Sequence, residues 1–151
     1  MGFEVKKIII GFLGDKDVGK TTCANILALN GFYKISVKDK IAEFASQLFS
    51  EEELRDNRDK IFEEIRQRGN RAHKGYWLNL VLITIPDNQD KIVFDDLTPQ
   101  DLIGNIVKAY QIYRPNFSAT TIPNTETIMN DGNLKSLTKK INDLIDSLSA
   151  K

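Results

Sequence analysis

Apolar residues in this chain fall into two alternating rhythms. Val5 to Leu13 is a short apolar run, β-branched and bounded by glycine, the pattern of a buried parallel strand. Gly19 to Leu29 follows with Cys23, Ile26 and Leu27 at helical spacing, and Asn30-Gly31 closes it. Phe32 to Val37 reads as a second strand. Ile41, Phe44, Ala45, Leu48 and Phe49 then recur at i, i+3, i+4, i+7 and i+8, an amphipathic helix. Ser50 before Glu51-Glu52-Glu53 marks a helix start with carboxylates in its first turn, and that helix runs to Gly69. Tyr76 to Ile85 is apolar and reads as helix, with strand as the alternative for Val81 to Ile85. Pro86-Asp87-Asn88 breaks it.

Lys91 to Phe94 is a third strand, ending on Asp95-Asp96. Thr98-Pro99 has the form of an N-cap with proline at the first helical position, and Leu102, Ile103, Ile106 and Val107 supply that helix's buried face. Ala109 to Tyr113 is a fourth strand, and Arg114 to Thr125 is a loop. Thr127 to Met129 is a short fifth strand, followed by a turn at Asn130-Asp131-Gly132. The last helix presents Leu134, Leu137, Ile141, Leu144, Ile145 and Leu148 on one face. Strand–helix alternation predicts one α/β domain over residues 1–151, with about five parallel strands and helices on both faces.

Composition narrows the picture. The chain has 151 residues, with 21 Lys+Arg against 21 Asp+Glu, so no charge excess favours nucleic acid or anionic membrane as a partner. A single cysteine, Cys23, allows no internal disulfide and suits a reducing cytoplasm, the expected location. A single histidine, His73, excludes a histidine-rich metal site, and its basic surroundings mark it as a solvated residue. No apolar run approaches the ~20 residues that span a bilayer. The opening MGFEVKK leads straight into a strand pattern, without a signal-peptide profile. Lys6 stands where a myristoylation signal carries Ser or Thr.

The chemistry concentrates after the first strand. Gly14-Asp15-Lys16-Asp17-Val18-Gly19-Lys20-Thr21 fits G-x-x-x-x-G-K-[ST] at every fixed position, with a strand before it and a helix after. Gly14 turns the chain out of the strand, and Gly19 lets backbone approach a phosphate. The N–H groups from Asp15 to Thr21 and the helix N-terminus, through Thr22, favour an anion. Lys20 is placed to neutralise β- and γ-phosphates, and the Thr21 hydroxyl to meet Mg²⁺. Asp15 and Asp17 are expected to face outward, with ordering of the loop as the alternative for Asp17. Asp95, at the carboxyl end of the third strand, is the natural second metal-side residue. Asp96, one residue on, is expected to point to the other face. Ligands of parallel sheets sit at that carboxyl edge.

Gly-Asp-x-x-Val-Gly-Lys-Thr also occurs in small GTPases. The D-x-x-G letters of Asp101 to Gly104 lie inside a helical pattern, however, and no N-K-x-D occurs in the chain. The remaining segments resemble another family, the P-loop nucleoside and deoxynucleoside monophosphate kinases of bacteriophage type, related to dephospho-CoA kinase and adenylate kinase. Ser36-Val37-Lys38-Asp39-Lys40-Ile41 is similar to that family's S-F-A-D-x-L-K. Ile92 to Asp101 resembles V-I-x-D-V-R-F-P-N-E, and Ala109 to Pro115 resembles a strand ending in R-P. Gly69-Asn70 and Trp77 weakly resemble a G-T…R…W segment. Ile128 to Leu137 resembles I-x-N-D-G-T-L-x-x-L.

The resemblance implies a P-loop NTPase three-layer sandwich and transfer of the ATP γ-phosphoryl group to a small-molecule nucleotide acceptor, with ATP and Mg²⁺ bound. It implies a lid-side catalytic role for Arg114 beside Lys20, and a place for Asn130 and Gly132 along the adenine. Lys38, Asp39, Arg66 and Arg71 would face the acceptor, with Arg68 and Lys74 nearby. A homodimer is compatible with it. Leu97 replaces a family arginine, Thr98 an aromatic, and the lid near 115–126 is shortened. Those departures support an alternative, a kinase-fold protein that binds nucleotide with little catalysis; a small GTPase-like protein ranks below both.

Overall fold

A computed structural model of the chain describes residues 7–102, 107–116, 121–123 and 125–149. Five strands, β1 (Ile8–Leu13), β2 (Tyr33–Ile35), β3 (Lys91–Phe94), β4 (Lys108–Tyr113) and β5 (Glu126–Met129), form one sheet in the order β2-β3-β1-β4-β5. Every pairing is parallel; β1 lies in register with β3 from Ile8 opposite Lys91 to Gly11 opposite Phe94. Among the described residues, five helices, α1 (Lys20–Leu29), α2 (Val37–Leu48), α3 (Glu51–Ala72), α4 (Tyr76–Thr84) and α5 (Leu134–Ser149), cover both faces.

Alternation along the strands builds two cores. Ile9 and Leu13 of β1 and Ile92 and Phe94 of β3 pack with Val37, Ile41, Phe62, Trp77 and Leu78 under α2, α3 and α4. Ile10, Phe12, Val93 and Ile112 point the other way, against Cys23 and Leu27 of α1 and Leu137 and Ile141 of α5. Strands buried on both faces require such continuous apolar runs. The architecture is therefore a three-layer α/β sandwich, as the alternation predicts.

Most elements form where the pattern places them, and the exceptions have local causes. The strand expected to run to Val37 stops at Ile35. Ser36 is the N-cap of α2, and the Asp96 carboxylate accepts from the Val37 and Lys38 amides, so the helix begins there. Pro99–Asp101 forms only a single 3-10 turn, not a longer helix. The Asp101 side chain folds back to Thr98, and Leu102 is extended. Val107 is buried as expected, while Ile103 and Ile106 lie outside the described residues, as does Val5. Helix α3 carries the Ser50–Glu53 capping box and continues past Gly69 to Ala72, with a non-helical kink at Asn57. Tyr76–Thr84 is helix, without strand at its end. Two predicted apolar faces are only partly covered: Phe44 and Leu48 of α2 and Leu134 of α5 are exposed. Among the described residues, no helix is long and apolar enough to cross a membrane.

Candidate functional site

The chain leaves β1 for β2 and β3 on one side and later for β4 and β5 on the other, so the strand order reverses at β1. Crevices at the carboxyl ends of parallel strands form at such a point. The loop from Gly14 to Gly19 lies there. Gly14 has φ +141° and Gly19 has φ +109°, conformations that side chains rarely adopt. Gly19 is the N-cap of α1 and, without a side chain, supplies no cap hydrogen bond to the first-turn N–H groups of the helix. Asp17 also has positive φ, and its carbonyl accepts from Arg114 Nη1 at 3.3 Å. The Asp15 and Asp17 side chains face solvent as expected, as does Lys16, whereas Val18 is buried.

Further contacts hold the loop. Lys20 Nζ donates to the Gly14 carbonyl at 2.8 Å, folding the side chain across the loop. Asn130 Nδ2 donates to the Val18 carbonyl at 2.8 Å, while its own N–H reaches the Tyr113 carbonyl at the end of β4. Burial lowers the Lys20 pKa; the nearby Asp96, Asp95 and Asp15 charges oppose this shift, and the Arg66 charge adds to it. A cavity of about 530 Å³ opens beside this frame, lined by Asp17, Gly19, Lys20, Thr21 and Thr22. From the other side Arg114, Asn130, Gly132 and Asn133 border it.

The end of β3 brings Asp95 and Asp96 within electrostatic reach of Lys20. Asp95 Oδ1 accepts from the Ser36 hydroxyl at 2.5 Å, and Lys34 lies 3.9 Å from its other oxygen. Asp96 does not point to the opposite face. It reaches the same stretch of α2, at Val37 and Lys38, because the chain bends out of the strand at these residues and strand alternation ceases. Burial raises the Asp96 pKa, against the pull of the Arg66 charge and two backbone donors.

Arg66 is only 11% exposed, with Nη2 2.7 Å from the Asp96 carbonyl, 3.2 Å from Asp101 Oδ2 and 3.6 Å from Asp96 Oδ2. Asp101 is fully buried and also accepts from Asn70 Nδ2, the Thr98 amide and the Thr98 hydroxyl. Leu97 is 2% exposed; its amide binds the Phe12 carbonyl, and its side chain lies where a Cβ on Gly11 would fall.

The other candidates disperse. Arg71 and Lys74 line a second cavity of about 480 Å³ with Gln67, Asn70 and Gln100. Arg68 faces a third, apolar one. Lys38 and Asp39 are exposed at the start of α2, and His73 is exposed just after α3. Sequence reasoning did not single out Asp96 and Asp101 as structural charges. The doubled aspartate after a strand and the Thr98-x-x-Asp101 cap spacing were the available signals.

The site's donors suit a hard cation. Thr21 is exposed, and its hydroxyl has no hydrogen bond among the described residues; Asp95 adds carboxylate oxygen. Among the described residues no group of three or more His, Cys, Asp or Glu could form an all-protein metal cage. Mg²⁺ needs no such cage, because it keeps waters and takes one or two protein oxygens alongside substrate phosphates.

Fold and loop together define a class: a three-layer α/β protein with a glycine-framed, lysine-bearing loop at the switch point of a parallel sheet. No protein-family model matches the chain, and no curated protein is significantly similar to it.

Proposed function

We propose that the chain is an ATP-dependent phosphotransferase acting on a nucleoside or deoxynucleoside monophosphate or a similar small phosphorylated acceptor. One observation carries the reading. The glycine-capped N-terminus of α1, framed by Gly14 and Gly19 and bearing Lys20 and Thr21, opens into a cavity of nucleotide size. In this reading the loop amides and Lys20 hold the triphosphate. Asn130 and Gly132 border the rest of the nucleotide, and Arg114 approaches from the end of β4. Thr21 and Asp95 would hold Mg²⁺, whose charge offsets that of the phosphates. Lys38 and Arg66 would supply cations on the acceptor side, where two polyanions must be brought together, with Arg71 and Lys74 on the separate cavity beyond.

A second reading, nucleotide binding with little chemistry, draws on a separate observation: Leu97 is sealed in the core, and the Arg66 guanidinium is held by two carboxylates. The deciding experiment incubates the protein with ATP, Mg²⁺ and each common monophosphate, beside Lys20→Ala. Diphosphate formation that disappears in the variant supports the transferase. Tight ATP binding without turnover on any acceptor supports the second reading. Loss of both removes the two together.

A further inference from the structure

Asp96 joins three elements. Its Oδ1 accepts from the Val37 amide at 3.0 Å and its Oδ2 from the Lys38 amide at 2.7 Å, so one carboxylate closes the N-terminus of α2. Its main-chain oxygen takes Arg66 Nη2 at 2.7 Å, and the guanidinium stands 3.6 Å from the same carboxylate. Asp101 Oδ2 reaches the same Arg66 Nη2 at 3.2 Å. The charges of both Asp96 and Arg66 act on Lys20. A residue serving only as a cap needs a carboxylate at a helix end and nothing more. Here the capping carboxylate also fixes a guanidinium whose Nε is buried without a partner among the described residues. An unmade hydrogen bond on a buried charged group is costly and calls for an explanation.

We propose that Asp96 is the positioning residue of this site: it locks the first turn of α2 and the Arg66 guanidinium into one arrangement beside Lys20. An incoming acceptor phosphate then finds the Lys38 backbone and the Arg66 guanidinium already placed. The inference rests on the phosphotransferase reading above. Asp96 itself touches neither substrate nor metal; it acts through the two elements it joins. Preorganisation of this kind lowers the cost of binding, because the cations are ordered before the ligand arrives.

The test compares wild type, Asp96→Asn, Arg66→Lys and the double variant, varying ATP and the monophosphate acceptor separately. Asp96→Asn keeps the size but removes the charge and one acceptor. The expected result is an acceptor KM raised about tenfold in each single variant, with the ATP KM within about twofold of wild type. The double variant is expected to be little worse than the worse single one, because the two residues act as a unit. Asp96→Glu, which keeps the charge but displaces the cap by a methylene, carries the same expectation if Asp96→Asn folds poorly.

Hydrogen exchange at the Val37 and Lys38 amides should quicken in Asp96→Asn and stay unchanged in Arg66→Lys. A purely structural Asp96 would reduce the active fraction, lowering kcat with both KM values unmoved, and that outcome overturns the proposal. Fully additive effects in the double variant overturn it too. Absence of transfer by the wild type removes both this inference and the reading beneath it. Transfer with an unshifted acceptor KM removes this inference alone.

Discussion

At Gly14 an added methyl group has nowhere to go. With φ at +141°, a Cβ there would lie 2.7 Å from the Ile112 carbonyl oxygen, and that oxygen belongs to a buried strand that cannot retreat. Gly14→Ala is expected to cost about 1–3 kcal/mol, read as a lower urea midpoint with an unchanged m-value. Cys23 presents a different constraint. It is fully buried against α5, and burial pushes its thiol from 9.0 up to about 12. The protonated thiol is the form the fold accepts. Its contribution to stability is whole below pH 9 and drains away as pH climbs from 9 toward 12, where the unfolded chain ionises first. The stability advantage of wild type over Cys23→Ala should therefore shrink by about 1.4 kcal/mol per pH unit above 9. Urea titrations at pH 8, 9 and 10 measure it, and a constant gap would contradict the assignment.

At the scale of elements, helix α3 shows what periodicity conveys and what it omits. Its start was legible from Ser50 and Glu53, whose reciprocal bonds form as the letters imply. Its end was not, since Gly69 looks like a terminator yet sits inside the helix. The reason lies on α4: a Cβ on Gly69 would fall 2.4 Å from Trp77 Nε1 and 2.9 Å from Tyr76 Cδ1. Glycine there makes room for the indole, which donates to the Ile65 carbonyl at 3.3 Å. Helix propensity alone predicts that Gly69→Ala stabilises by about 1 kcal/mol. Overpacking against a rigid ring system opposes that gain with about 1–3 kcal/mol. Packing is expected to win, and thermal unfolding should show a lowered Tm. The turn at Pro99–Asp101 teaches the same lesson. Its cap letters were correct, with Asp101 bonded back to Thr98, but the helical turn ends at Asp101 because Leu102 is extended.

For the molecule as a whole, Asp101 bears on how the layers are held together. It is fully buried and takes donors from Thr98, Asn70 and Arg66, tying the turn after β3 to α3. Asp101→Ala would leave Arg66 with one carboxylate and Asn70 and Thr98 without their acceptor. A loss of about 3–5 kcal/mol is expected, measured by equilibrium urea unfolding, with hydrogen exchange quickening first at the C-terminal turns of α3. A loss below about 1 kcal/mol would mean that solvent repairs the network.

Short-range letters were enough for the strand–helix alternation, the parallel three-layer sandwich, the glycine loop and the place of Asp95 at the carboxyl edge. The letters that signal each of these lie within a few positions of one another, where sterics and hydrogen-bond geometry act directly, although the strands they mark pair at long range. The partners of Asp96, Asp101 and Arg66 were beyond that reach. Their contacts join residues about 30 or 60 positions apart in sequence, and the pairing of buried charges depends on which helices meet, not on any local spacing. The loop Gly14 to Thr21 could therefore be read from the sequence, while the arrangement of charges around it required the folded chain.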